Sequence, residues 1–142
     1  ARNYVERILG GEKGYLDEDI YVNILNDVIK QIAEEGNVVI IGRGGQYILK
    51  DHPDAFHVLL IGKEEDRIAF MEKHYNLSPS QASRIVKEYG KRRSNLYRKF
   101  RKEDYDQPDL YHVVLNMSKL DMEKATDFVY RMVADLVCEL AE

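Results

Sequence analysis

From Tyr21 to Ile32 apolar residues recur at Tyr21, Ile24, Leu25, Val28, Ile29 and Ile32, the spacing of one face of a helix. Asp17 is placed to cap its start and Gly36 to stop it. The period then breaks. Val38, Val39, Ile40 and Ile41 are consecutive and β-branched, which predicts a strand buried on both faces of a parallel sheet. It runs straight into Gly42-Arg43-Gly44-Gly45, and apolar periodicity resumes at Tyr47, Ile48 and Leu49 as the start of a helix. Strand, glycine turn and helix in that order expose backbone N–H groups at the carboxyl end of a sheet, where anions bind. The Arg43 guanidinium adds a fork suited to phosphate. Glycines at such a junction also serve as plain turn residues.

Downstream, Phe56–Ile61 predicts a second strand ending at Gly62, with Glu64, Glu65 and Asp66 opening a helix that runs to about His74. Ser78-Pro79-Ser80-Gln81 combines an N-cap serine, a first-turn proline and a capping-box glutamine. The helix they start has an apolar face at Ala82, Ile85, Val86 and Tyr89. It becomes basic through Lys91, Arg92, Arg93, Arg98, Lys99, Arg101 and Lys102, interleaved with Tyr97 and Phe100, before an acidic loop at Glu103, Asp104, Asp106 and Asp109. Tyr111–Leu115 predicts a third strand, closed by Asn116-Met117-Ser118, and Asp121–Leu140 a last helix with an apolar side at Ala125, Val129, Met132, Val133, Leu136, Val137 and Leu140. Strands alternating with helices predict an α/β fold around a parallel sheet, with Gly42–Gly45, Gly62–Lys63 and Asn116–Ser118 converging beyond the strand carboxyl ends.

Composition narrows the chemistry. The 142 residues make one domain of ordinary apolar and charged content, with a net charge of −4 that argues against a general binder of nucleic acid or membrane surface. The basic stretch Lys91–Lys102 keeps nucleic-acid binding as a minor alternative to a solvated helix face. The single cysteine, Cys138, reads as a small core residue, excludes an internal disulfide and fits a cytoplasmic setting. His52, His57, His74 and His112 fall in unrelated contexts without metal-ligand spacing, and no serine occupies a strand-turn-helix elbow. Arginines and lysines near glycine turns instead suit phosphoryl transfer, which depends on positioning and neutralising charge. The chain begins Ala1-Arg2-Asn3, without an initiator methionine, which leaves an upstream segment as an expectation.

The stretches GNVVIIGRGGQYIL, FHVLLIGKEEDRIAFM, KRRSNLYRKF and YHVVLNMS, in this order, resemble the cytidylate-kinase-like family of nucleoside monophosphate kinases, over roughly Tyr15 to Val137. The resemblance implies a three-layer P-loop-kinase-like fold. It also implies a transferase moving a phosphoryl group from ATP, with Mg²⁺, to a nucleoside monophosphate. By the same resemblance Arg43 and Arg67 bind the acceptor phosphate, and Arg92 or Arg93, with Arg98, belong to a lid segment (79–106) closing over the transferring phosphates. Asn116 and Ser118 match a loop near the donor purine, while Gly44 stands where cytidylate kinases carry an aspartate.

The family holds ATP on a G-x-x-x-x-G-K-[ST] loop, and these residues contain none. The expectation is therefore the C-terminal portion of a kinase, inactive alone, with three visible strands and the P-loop strand missing between Val38–Ile41 and Val58–Ile61. A missing N-terminal segment or a homodimer would complete the sheet. The alternative is a non-catalytic nucleotide-binding or protein-interaction module of degenerate kinase fold.

Overall fold

The computed structural model describes residues 18–100 and 106–139. Asp17, Arg101, Lys102, Glu103, Asp104 and Leu140, and the side chains of Val137 and Cys138, lie outside the described residues. The elements are α1 (Glu18–Glu34), α2 (Gly45–Ile48), β1 (Val58–Ile61), α3 (Glu64–Tyr75), α4 (Pro79–Lys99), a 3₁₀ turn (Pro108–Leu110), β2 (Val113–Asn116) and α5 (Met122–Glu139). The architecture is mixed α/β with a two-stranded parallel sheet, β1 beside β2, in the register Val58↔Val113 through Ile61↔Asn116.

Both strands are tied at each end. The His57 amide donates to Nδ1 of His112 at 2.9 Å, and the His112 amide returns a bond to the His57 carbonyl at 2.9 Å. Phe56 packs its ring on His112, so β1 starts at Val58 rather than at Phe56. Beyond the carboxyl ends, the Met117 amide donates to the Ile61 carbonyl at 2.7 Å and the Lys63 amide to the Ser118 hydroxyl at 2.8 Å. These bonds satisfy backbone groups that the short ladder leaves open.

One predicted element is corrected. Val38–Ile41, expected as a doubly buried strand, has no regular secondary structure and joins no ladder, and Val39 and Ile41 are 91% and 87% exposed. The physical reason is the absence of a neighbour. A strand acquires its hydrogen bonds and its burial from adjacent strands, and the described sheet contains only β1 and β2. The expected three-stranded sheet is thus two-stranded among the described residues. Leu60 and Ile61 are likewise exposed.

The helices follow their local signals more closely. The capping box of α4 forms as predicted: the Gln81 amide donates to the Ser78 hydroxyl and the Gln81 side chain accepts from the Ser78 amide. Asn76, in the left-handed region at φ 51°, ends α3, and α3 packs against α4. The core draws on every layer: Ile29 of α1, Leu49 after α2, Leu59 of β1, Ala82, Val86 and Tyr97 of α4, Leu115 of β2 and Ala125 of α5. Along α5 only Ala125 of the described stripe is buried, and Val133, Leu136 and Phe128 remain exposed.

Candidate functional site

The turn between Ile41 and α2 is where local sequence and site meet. Gly42, Arg43 and Gly44 lie successively at φ 66°, 60° and 77°, closed by the Gly45 amide donating to the Gly42 carbonyl at 3.1 Å. Glycine adopts this region freely, whereas a side chain there costs about 1–2 kcal/mol. Arg43 is held in it between two glycines, with its side chain exposed. Non-glycine residues held this way cluster at functional sites. The helix that follows is a single turn, so the anion-binding helix N-terminus expected from the sequence is not available there. Any phosphate affinity rests on side-chain cations.

The carboxyl-terminal part of α4 folds down onto this turn. Phe100, its C-cap, lies against Gly44 so closely that a Cβ on residue 44 would meet the ring at 2.6 and 2.8 Å. Gly44 is buried, and any side chain in its place, an aspartate included, requires the Phe100 ring to move. Tyr47 packs edge-on against Tyr97 at 5.5 Å between centroids and lies 5.8 Å from Phe100. Burial, and next the proximity of Tyr97, push the Tyr47 phenol above its ordinary range, while Arg93 opposes the shift. Arg93, Tyr97 and Phe100 therefore share the face of α4 that meets the turn.

The two adjacent arginines point differently. Arg92 pairs with Glu88 one turn back on its own helix and lies over the Tyr89 ring. Arg93 reaches away to Asp106, Nη2 to Oδ2 at 2.7 Å, and the Tyr111 hydroxyl donates to the other oxygen of Asp106 at 3.3 Å. Burial first, and then the Asp106 charge, raise the Tyr111 phenol well above its ordinary value. Arg98 is exposed near the end of α4. Arg67 sits in the first turn of α3, its side chain against Gly62.

Asn116 and Ser118 are engaged in their own loop. Asn116 Oδ1 accepts from the Ser118 amide at 3.0 Å, and Ser118 Oγ accepts from the Lys63 amide. They join the ends of β1 and β2 through bonds within the protein, bringing Asn116–Ser118 to Gly62–Lys63.

The sequence reading missed Asp106, Tyr111 and the inward role of Tyr47, Tyr97 and Phe100. The signal was the spacing of Arg93, Tyr97 and Phe100 at i, i+4 and i+7, which read instead as part of a solvated basic helix face. Tyr89 alone of the aromatics in that stretch is largely exposed.

The cytidylate kinase-like family model matches residues 1–119. The chain belongs to the cytidylate kinase-like family. No curated protein matches it. A crystal structure of an uncharacterized protein from Eubacterium ventriosum ATCC 27560 aligns with a TM-score of 0.67 at 19% identity, over 83% of this chain and 65% of that one. At that identity the likeness speaks for the fold, and this cytidylate kinase-like chain spans 65% of the length of that structure.

The sequence has no phosphate-cradling G-x-x-x-x-G-K-[ST] loop, and no group of carboxylates among the described residues is arranged to hold a metal ion. Among the described residues no helix is long and apolar enough to cross a membrane.

Proposed function

We propose that this chain is the acceptor-binding and lid portion of a nucleoside monophosphate kinase, whose complete form transfers a phosphoryl group from ATP to a nucleoside monophosphate. The observation that carries the reading is the packing of the end of α4 onto the Gly42–Gly45 turn, Phe100 against Gly44, with Arg93 two turns earlier on the same side of that helix. In this reading Arg43 and Arg67 clamp the acceptor phosphate, Arg93 and Arg98 close over that phosphate and neutralise the transferring group, and Arg92 stands at the rim. Asn116 and Ser118 border the donor purine. The segment 79–106 acts as the lid. No acid–base residue is required, because phosphoryl transfer is governed by positioning and charge.

The same reading makes the polypeptide incomplete on its own. β1 pairs with β2 on one edge, and the exposed segment Val38–Ile41 has no ladder. A strand supplied from outside the described residues, by an N-terminal segment or by a second copy, would complete the sheet, and only the N-terminal segment would also bring the ATP loop, which this sequence lacks. Incubating this polypeptide with ATP and CMP, dCMP or UMP should give no phosphoryl transfer, and measurable turnover would refute the claim of incompleteness.

Acceptor binding is the part this polypeptide should retain. Titration calorimetry should detect a nucleoside monophosphate, weakened by Arg43→Ala by about 10- to 150-fold if a charge-assisted contact of ~1.5–3 kcal/mol is lost. The missing ATP loop also favours a second reading, a non-catalytic module of degenerate kinase fold. A total lack of nucleotide affinity in the intact chain would select a protein-interaction role.

A further inference from the structure

We infer that Asp106 is a positioning residue that anchors Arg93 to the sheet and presents its guanidinium to the acceptor phosphate. This rests on the reading of the α4 arginines as phosphate clamps. Neighbouring residues on one helix point about 100° apart, and these two arginines find different kinds of partner. Arg92 is held by its own helix, whereas Arg93 is held from outside it, at 2.7 Å, by a carboxylate whose side chain is only 18% exposed. That carboxylate is itself fixed from below by the Tyr111 hydroxyl, and Tyr111 directly follows the 3₁₀ turn and leads into β2. The chain of contacts thus runs from the sheet through Tyr111 and Asp106 to Arg93.

The geometry suits presentation rather than burial of the cation. A guanidinium carries five N–H donors, and the bond to Asp106 Oδ2 uses Nη2, while 43% of the Arg93 side chain stays exposed. A long side chain fixed in this way has already lost the rotamer freedom that phosphate binding would otherwise remove. Asp106 also tethers α4 to the start of β2, so one carboxylate sets both the arginine and the helix that bears it.

The test is titration calorimetry of CMP, with dCMP and UMP in parallel, on the full chain and on Asp106→Asn, Arg93→Ala and the double variant. Asp106→Asn should weaken nucleotide binding roughly 5- to 20-fold, and the double variant should bind no more weakly than Arg93→Ala alone, because Asp106 acts through Arg93. Tyr111→Phe, which removes one hydroxyl, should give a smaller loss that vanishes in the Arg93→Ala background. Losses that add in the double variant, or affinity unchanged or tighter in Asp106→Asn, would overturn the inference while leaving the proposed function standing. No affinity of the unaltered chain for any of the three nucleotides would overturn both.

Discussion

The contact between Phe100 and Gly44 is the most sharply testable feature of the site, because a neighbouring glycine provides its own control. Gly42 and Gly44 share the left-handed region, at φ 66° and 77°, but a Cβ at Gly42 meets nothing within 4 Å. Gly42→Ala therefore isolates the backbone cost, about 1–2 kcal/mol. Gly44→Ala adds a methyl 2.6 Å from Phe100 Cε2 and 2.8 Å from Cζ. Restoring ordinary carbon–carbon contact requires the ring to retreat by about 1 Å. Phe100 caps α4 and packs against Tyr47, which meets Tyr97, so that movement disturbs the whole aromatic contact. Overpacking of this kind costs ~1–3 kcal/mol, which brings Gly44→Ala to about 2–5 kcal/mol. That is a large share of the ~5–15 kcal/mol typical of a domain.

Urea denaturation of Gly42→Ala, Gly44→Ala, Phe100→Ala and the Gly44→Ala/Phe100→Ala pair separates the contributions. In the Phe100→Ala background the cost of Gly44→Ala should fall to that of Gly42→Ala. If Gly44→Ala proves no costlier than Gly42→Ala in the unaltered background, or if deleting the ring leaves its cost unchanged, α4 does not rest on the turn. The proposed site would then lose its carrying observation.

Two further expectations concern the sheet and the last helix. Val39→Lys should change the stability of this polypeptide by less than about 0.5 kcal/mol, whereas Leu59→Ala, in the core, should cost ~2–5 kcal/mol. A cost above about 1 kcal/mol for Val39→Lys would mean that the segment is covered in solution. Asp121 caps α5 by accepting the Lys124 amide at 2.8 Å, and that bond, followed by the Lys124 side chain, holds its carboxyl below the usual aspartate value. Because the folded value is the depressed one, the stabilisation is complete above the unfolded value of about 3.9 and is lost as pH falls through the folded one. The stability advantage over Asp121→Asn should therefore be constant near neutrality and shrink below about pH 4. A difference that stays flat from pH 7 to pH 3 would rule the linkage out.

What the chain alone determined was whatever depends on near neighbours. Ser78, Pro79 and Gln81 close a capping box within one turn, and the apolar period of α1 is local, so both were legible as written. The parallel alternation of β1 and β2 was legible too, because each strand is flanked by its own stop signals. The tertiary structure decided the rest. Val38–Ile41 has the composition of a buried strand, but burial is conferred by a partner, and composition carries no information about whether one is present. Arg92 and Arg93 are chemically identical and adjacent in sequence. Only the return of the chain at Asp106 and Tyr111, 13 and 18 residues on from Arg93, shows which cation is paired on its own helix and which is paired across to Asp106.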